Sequence, residues 1–317
     1  MPEDVTNGKL KSVTVIFSPY HVGIRDHAVG AGPGRLRNSG LVSAIQKLDV
    51  EVHEVEIERV YDAEGDIGRS FEVIRRIARA VTAARDGESF SIVIAGNCSA
   101  TIGVLAGLSG SEALAERELG CIWFDSHDDF NVPDTILSGY FDSMGVAIMA
   151  GQCWKALAGS VPGFRPLRLE RFVHVGMRDV NELEKVRVKE AGYDVIWGNE
   201  QDKVDFRSEL ERVVGRKREM AVDGGCTMVH VDLDCLDGSI ARVNKFGGTK
   251  GGLMGQDLSG CLDLLGRGGQ GKVMPMSLTI ASYDPEYDES GRVAGIAVEA
   301  VEGFVRALKE TGRLEGG

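Results

Sequence analysis

Two short apolar runs constrain this chain more than any other feature. Residues 121–124 (CIWF) lead directly into Asp125, His127 and Asp129. Residues 228–231 (MVHV) lead into Asp232 and Asp234, with Asp237 in the following turn. An apolar run of this length reads as a buried strand. In an extended chain, residues two apart point the same way. Asp125, His127 and Asp129 are therefore expected on one face where the first strand ends, and Asp232 and Asp234 on one face where the second ends. Four carboxylates and an imidazole brought together repel one another unless a cation lies between them. Their chemistry suits a hard or borderline divalent metal ion.

The rest of the chain alternates between strand-like and helix-like segments. Strands are expected at 12–18, 50–57, 91–96, 120–125, 171–179, 193–198, 228–234 and 273–282. Helical spacing appears at 69–85, 141–158, 204–214, 255–265 and 291–311, and further helices are expected to open near Pro33 and after Cys98. This alternation predicts an α/β fold, a parallel sheet with helices on both faces, and residues 1–317 as one domain. In that architecture functional residues gather at the carboxyl ends of the strands. The polar strand ends fit the rule: Asn97 and Cys98, Asp125 to Asp129, Arg178 and Asp179, Asp232 to Asp237, and Ser282 to Asp284.

A formal net charge of -12 argues against nucleic acid or an anionic membrane as partner. No apolar run approaches the length of a membrane span, and the polar N-terminus has no signal-peptide core. The six cysteines lack C-x-x-C spacing, so they read as buried thiols of a reducing compartment, and a cytoplasmic location is expected. The glycines at 247, 248, 251 and 252 form no phosphate loop, and no G-x-S-x-G elbow or Cys-His pair points to covalent catalysis.

Four motifs together name a family. DSHDDFN (125–131) resembles D-A-H-x-D-x-N, and HVDLDCLDG (230–238) resembles S-x-D-x-D-x-x-D-P. GAGPGRLRNSGL (30–41) and VGMRDVNELE (175–184) resemble G-x-x-x-G-P-x-x-[LI]-R-x-x-G-L and G-x-R-D-x-D-x-x-E. The chain is thus similar to the ureohydrolases, the arginase, agmatinase and formimidoylglutamase group. The resemblance implies a three-layer α/β/α domain around an eight-stranded parallel sheet, assembled as a homo-oligomer, a trimer or hexamer. It also implies two manganese ions that activate a shared water for attack on a guanidinium or amidine carbon. By resemblance Asp125 and Asp232 bridge the ions, His127 and Asp234 complete one, and Asp129 binds the other and orients the attacking water. Asn131 and Ser138 match contacts to a substrate α-carboxylate, and Glu184 matches an acidic residue near the α-amino group.

Several positions depart from the pattern. Cys98 in AGNCS (95–99) stands where a histidine ligand is expected, which brings Zn2+ or Fe2+ into consideration beside Mn2+. Asp142 replaces a histidine that carries a proton to the leaving group, and would serve as general acid only with a raised pKa. Ser282 replaces a glutamate that holds the guanidinium, which points to a neutral or differently shaped reacting end. Asn181 replaces an aspartate that contacts the α-amino group. By resemblance the loop of His21 and His27 borders the site, so either could touch substrate, though loop histidines of this kind read first as inert; His174 and His230 read as core or supporting residues. The expected function is metal-dependent hydrolysis of a guanidino, hydroxyguanidino or amidine C–N bond in an amino-acid-like small molecule, with specificity altered from arginase. Two alternatives stand beside it: a metal centre recruited to lyase or cyclisation chemistry, and a catalytically lost homologue with a binding role.

Overall fold

The computed structural model describes residues 9–61, 65–114, 116–217 and 225–316. Eight strands form one sheet: β1 (Ser12–Ser18), β2 (Glu51–Glu56), β3 (Ser89–Ala95), β4 (Gly120–Phe124), β5 (Phe172–Met177), β6 (Asp194–Trp197), β7 (Cys226–Asp232) and β8 (Met274–Ala281). Their order across the sheet is β2-β1-β3-β8-β7-β4-β5-β6, and every neighbouring pair is parallel. The helices are α1 (Gly32–Asn38), α2 (Leu41–Gln46), α3 (Gly65–Asp86), α4 (Ala100–Gly110), α5 (Gly145–Met149), α6 (Lys155–Ala158), α7 (Glu182–Ala191), α8 (Phe206–Arg216), α9 (Gly255–Gly266) and α10 (Arg292–Glu310).

The inner strands are apolar on both faces because helices cover both. Alternation along β4 sends Ile122 and Phe124 into one layer, shared with Leu41 of α2, Leu210 of α8, Leu262 of α9 and Phe304 of α10. Cys121 and Trp123 enter the opposite layer, with Ile74 of α3, Leu105 of α4 and Ile148 of α5. Strand β2 has only one neighbour and carries Glu51, Glu54 and Glu56 exposed, charges that discourage further pairing at a sheet edge.

Two expectations are corrected. Residues 141–158 do not form one helix. They divide into a 3-10 turn (Phe141–Met144), α5 and α6, and Trp154 breaks the run with φ 49°. An apolar stretch at helical spacing cannot reveal such a break, because a left-handed residue there leaves the pattern intact. Helix α7 was not anticipated, since most of its side chains are polar or exposed. Its signature lay in Asn181 and Glu184, which form a capping box.

The sheet order places β3, β8, β7 and β4 side by side although they are distant in sequence. Their carboxyl ends are level: Phe124 is opposite Val231, and Asp232 opposite Ala281. Gly96 directly follows β3, where a Cβ would lie 2.1 Å from the Tyr20 carbonyl oxygen and 2.9 Å from the Gly30 Cα. Both are backbone atoms that cannot swing aside. Gly96→Ala is expected to lose about 1–3 kcal/mol of stability in denaturant titration. A variant as stable as the wild type would show that this packing is looser than described.

Candidate metal centre

Each acidic strand end is built by a side chain that folds back on its own turn. At the end of β4, Asp125 accepts the His127 N–H at 2.7 Å through Oδ1 and the Trp123 indole N–H at 3.0 Å through Oδ2. At the end of β7, Asp232 Oδ1 accepts the Asp234 N–H at 2.7 Å. Strand alternation therefore gives the right neighbours for the wrong reason. The chain turns after Asp125 and after Asp232, and Asp129 has φ 45° rather than an extended backbone. The carbonyl of Asp129 accepts the Val146 N–H at 2.9 Å, so the start of α5 fixes this left-handed residue.

The two strand ends meet at His127. Its Nδ1 lies 3.4 Å from Asp125 Oδ1 and 3.4 Å from Asp234 Oδ2. Asp234 is also held by the Ser126 hydroxyl at 2.9 Å and the Asn244 amide at 3.2 Å. Cys98 comes in from the turn after β3. Its Sγ is 3.0 Å from Asp232 Oδ2, 3.2 Å from Ser282 Oγ and 3.2 Å from His230 Nε2. Among the described residues two ligand clusters emerge, Asp125 with His127 and Asp234, and Cys98 with Asp125 and His230. Within each, the candidate ligand atoms lie within 4.8 Å of one another.

The electrostatics of this cluster call for positive charge. Burial, then Asp234, pushes Asp125 up to about 6. Burial also drives Asp129 and Asp232 well above the carboxylate range, reinforced by neighbouring aspartates. Asp234 alone is held below its ordinary value: burial opposes its ionisation, but the adjacent His127 imidazole outweighs it. The Asp129 carboxylate is only 7% exposed. Buried carboxylates this close fit divalent cations.

The centre forms the floor of a cavity of about 770 Å³, lined among others by Cys98, His127, Asp129, Asp232, Asp234 and Ser282. Of the expected substrate residues, Asn131, Ser138, Glu184 and Ser282 line this cavity. Asn131 donates to Glu184 at 3.1 Å and accepts from Arg187 of α7 at 2.8 Å, so these side chains form one polar wall. Asn181 is not on that wall. Its side chain caps α7, accepting from the Leu183 and Glu184 amides at 3.0 Å each.

Asp142 lines the cavity, but its carboxylate is engaged elsewhere. Asn97 Nδ2 donates to it at 2.6 Å, and the Cys98 and Ser99 amides donate at 3.1 and 2.8 Å. Burial pushes its pKa up, while these donors favour the anion. Three N–H groups facing one carboxyl leave it poorly placed as a proton donor. What it does is clamp the turn that carries Cys98.

Three residues contribute more than their sequence context indicates. His21 faces the cavity, its ring 6.0 Å from that of Tyr140, and its Nδ1 is buried without a hydrogen-bond partner among the described residues. Burial holds its pKa below the usual histidine value. Asp284, two residues beyond Ser282, brings a carboxylate to the same wall. His230 is a buried core residue, as expected, yet its Nε2 points at Cys98. Asp284 belongs to a polar strand end that the sequence marks, whereas the surroundings of His21 and His230 depend on contacts between distant segments. His174 is core with both ring nitrogens unpartnered among the described residues, and burial pushes it down to about 3.

Comparison with known proteins agrees with this geometry. Residues 11–305 match the model of the arginase family. The arginase of Staphylococcus aureus (strain COL) is 26% identical over 309 residues, covering 93% of this chain and 97% of that one. The crystal structure of arginase from Bacillus subtilis superposes with a TM-score of 0.78 at 25% identity, over 93% of this chain and 98% of that one. The native arginase structure from Bacillus caldovelox shares the fold, with a TM-score of 0.79 at 24% identity over 93% of this chain and 98% of that one. The chain belongs to the arginase family, whose members are metal-dependent hydrolases of C–N bonds other than peptide bonds.

Proposed function

We propose that this protein hydrolyses a guanidino or amidino C–N bond in an amino-acid-like small molecule, with a substrate preference different from that of arginase. The observation that carries this reading is the acidic floor and walls of one cavity. Asp129, Asp232 and Asp234 lie at its base, Asp179, Glu184 and Asp284 line its sides, and Lys245 is the one lysine or arginine among its described lining residues. Such a cavity favours a cationic, donor-rich substrate even after two divalent ions are bound. The donors present fit those ions: Asp125 and Asp232 would be shared, His127 and Asp234 would hold one ion, and Asp129 and Cys98 would hold the other. Bound there, the ions would lower the pKa of a water and stabilise charge at the carbon under attack. Mn2+ suits the carboxylate and imidazole donors, whereas Cys98 favours Zn2+ or Fe2+.

The remaining steps fall to the protein's own side chains. The Asp129 carboxylate orients the attacking water and accepts its proton. The wall of Asn131, Ser138 and Glu184 binds the amino-acid end, and Asp284 beside Ser282 receives a cationic head, in place of the neutral reacting end that Ser282 alone suggests. With Asp142 occupied as a clamp, His21, a neutral imidazole lining this cavity together with His127, relays to the leaving nitrogen the proton that Asp129 takes from the water. His21→Asn is expected to lower kcat by about 10²-fold with little change in KM. An unchanged kcat would remove His21 from the proton path.

The family likeness also supports a cytoplasmic homo-oligomer, a trimer or hexamer, and a single catalytic domain. Among the described residues no helix is long and apolar enough to cross a membrane. The functional test is turnover by metal-loaded protein across a panel of guanidino, hydroxyguanidino, amidino and formimino amino acids, read as release of urea, ammonia or formamide. Turnover of a panel member other than arginine as the best substrate is expected. No turnover across the panel would overturn the proposal.

A further inference from the structure

His230 lies in the middle of the core, fully buried on β7, and nothing in the hydrolytic scheme above uses it. A histidine at such a position normally packs with its nitrogens satisfied by backbone or hydroxyl groups. This one is aimed. Thr101 Oγ1 takes up Nδ1 at 2.8 Å, which turns Nε2 toward Cys98 Sγ at 3.2 Å. The Trp123 indole stacks on the imidazole at 3.7 Å between centroids and 26° between planes, fixing the ring. The same indole donates to Asp125 Oδ2, so one side chain orients two members of the cluster.

We propose that His230 is a metal ligand, joining Cys98, Asp125, Asp129 and Asp232 in a mixed sulfur, nitrogen and oxygen site that selects Zn2+ or a similarly borderline ion. This deepens the two-ion reading given above and rests on it. The spacing is slightly tighter than a bound ion requires: ligands of one zinc are about 3.3–3.8 Å apart when bonds are about 2.0–2.3 Å. Cys98 Sγ to His230 Nε2 is 3.2 Å and Cys98 Sγ to Asp232 Oδ2 is 3.0 Å, so a small outward movement admits the ion. A hydroxyl on the far nitrogen is the arrangement that orients a ligating histidine. The motifs show an exchange. The family pattern has histidine at the position of Cys98 and serine at the position of His230, so the imidazole lost from the turn after β3 reappears on β7, two strands across the sheet. The second position, with His127 and Asp234, keeps only oxygen and nitrogen donors, so the two positions differ in softness and are expected to prefer different ions.

The test is X-ray absorption spectroscopy on the wild-type protein carrying one equivalent of Zn2+. One sulfur at about 2.3 Å together with imidazole scattering is expected. The same spectrum in His127→Ala assigns the imidazole to His230, because zinc shared between the two positions would otherwise mix sulfur from one with imidazole from the other. A shell with sulfur but no imidazole, or with oxygen and nitrogen only, would overturn the assignment. Cobalt substitution gives a second readout. A thiolate charge-transfer band is expected in the wild type and absent in Cys98→Ser. His230→Ala is expected to weaken Zn2+ binding at this position at least about tenfold, with Mn2+ binding at the other position retained. Zn2+ affinity unchanged in His230→Ala would also overturn the proposal. Neither readout uses turnover, so failure of the panel and failure of this assignment remain separate results.

Discussion

Asp232→Asn is expected to lower turnover by about 10³-fold, the scale set by removing one preorganised electrostatic element from an active site. The reason lies in where its two oxygens go. Oδ1 accepts the Asp234 N–H and so shapes the turn, while Oδ2 faces Cys98. Asparagine keeps an acceptor at Oδ1 and preserves the turn, but it removes the charge that both metal positions share. The variant should fold with an unchanged circular dichroism spectrum and bind fewer ions. Steady-state kinetics and metal content on the same preparation check this. Activity within tenfold of the wild type, with full metal content, would mean that Asp232 is not the shared carboxylate.

Stripping the metal is expected to lower the melting temperature, and the loss should grow as pH rises from about 5 to 7.5. Asp125 sits at about 6 in the metal-free fold against an ordinary value of 3.8, and Asp129 and Asp232 are raised further in the same direction by burial and one another. An acid with a raised folded pKa binds more protons folded than unfolded, so stability falls as pH climbs between the two values. His127 works in the same direction. Burial opposes its protonation, but Asp234 and Asp125 raise its pKa well above 6.5, so its contribution is present at low pH and fades as pH rises through the folded value. Asp234, held low, contributes fully above pH 4 and is flat across this window. His174 has the opposite slope, pushed down by burial, but it titrates alike with and without metal and cancels in the difference. Asp125 alone accounts for roughly 1–2 kcal/mol of the change between pH 5 and 7.5. That corresponds to about 2–3 °C for a chain of this size. Thermal melts with and without chelator at both pH values measure it. A pH-independent difference would show that the carboxylates are not what the cation stabilises.

Much of this molecule was legible in the sequence because its strands are buried on both faces. Such strands appear as uninterrupted apolar runs, and their polar ends mark the carboxyl edge of the sheet. The sequence located Asp125, His127, Asp232 and Asp234 for that reason, although the turns that join them replace the alternation first used to group them. Side chains whose role depends on another strand were not legible. His230 reads as core from its neighbours in sequence, and only the alignment of β7 beside the turn after β3 places it against Cys98. Asp142 matches a catalytic position, and only its three N–H partners show that it clamps a turn. Asn181 matches a substrate contact yet caps a helix whose polar surface hid it from periodicity.

The central claim is a two-ion centre held by these carboxylates, and metal content tests it most directly. Elemental analysis of protein purified without added metal, and again after supplementation, is expected to reach two divalent ions per chain. Cys98→His is expected to keep both and shift the preference toward Mn2+. A chain that holds no ion, or only one, after supplementation would contradict the account.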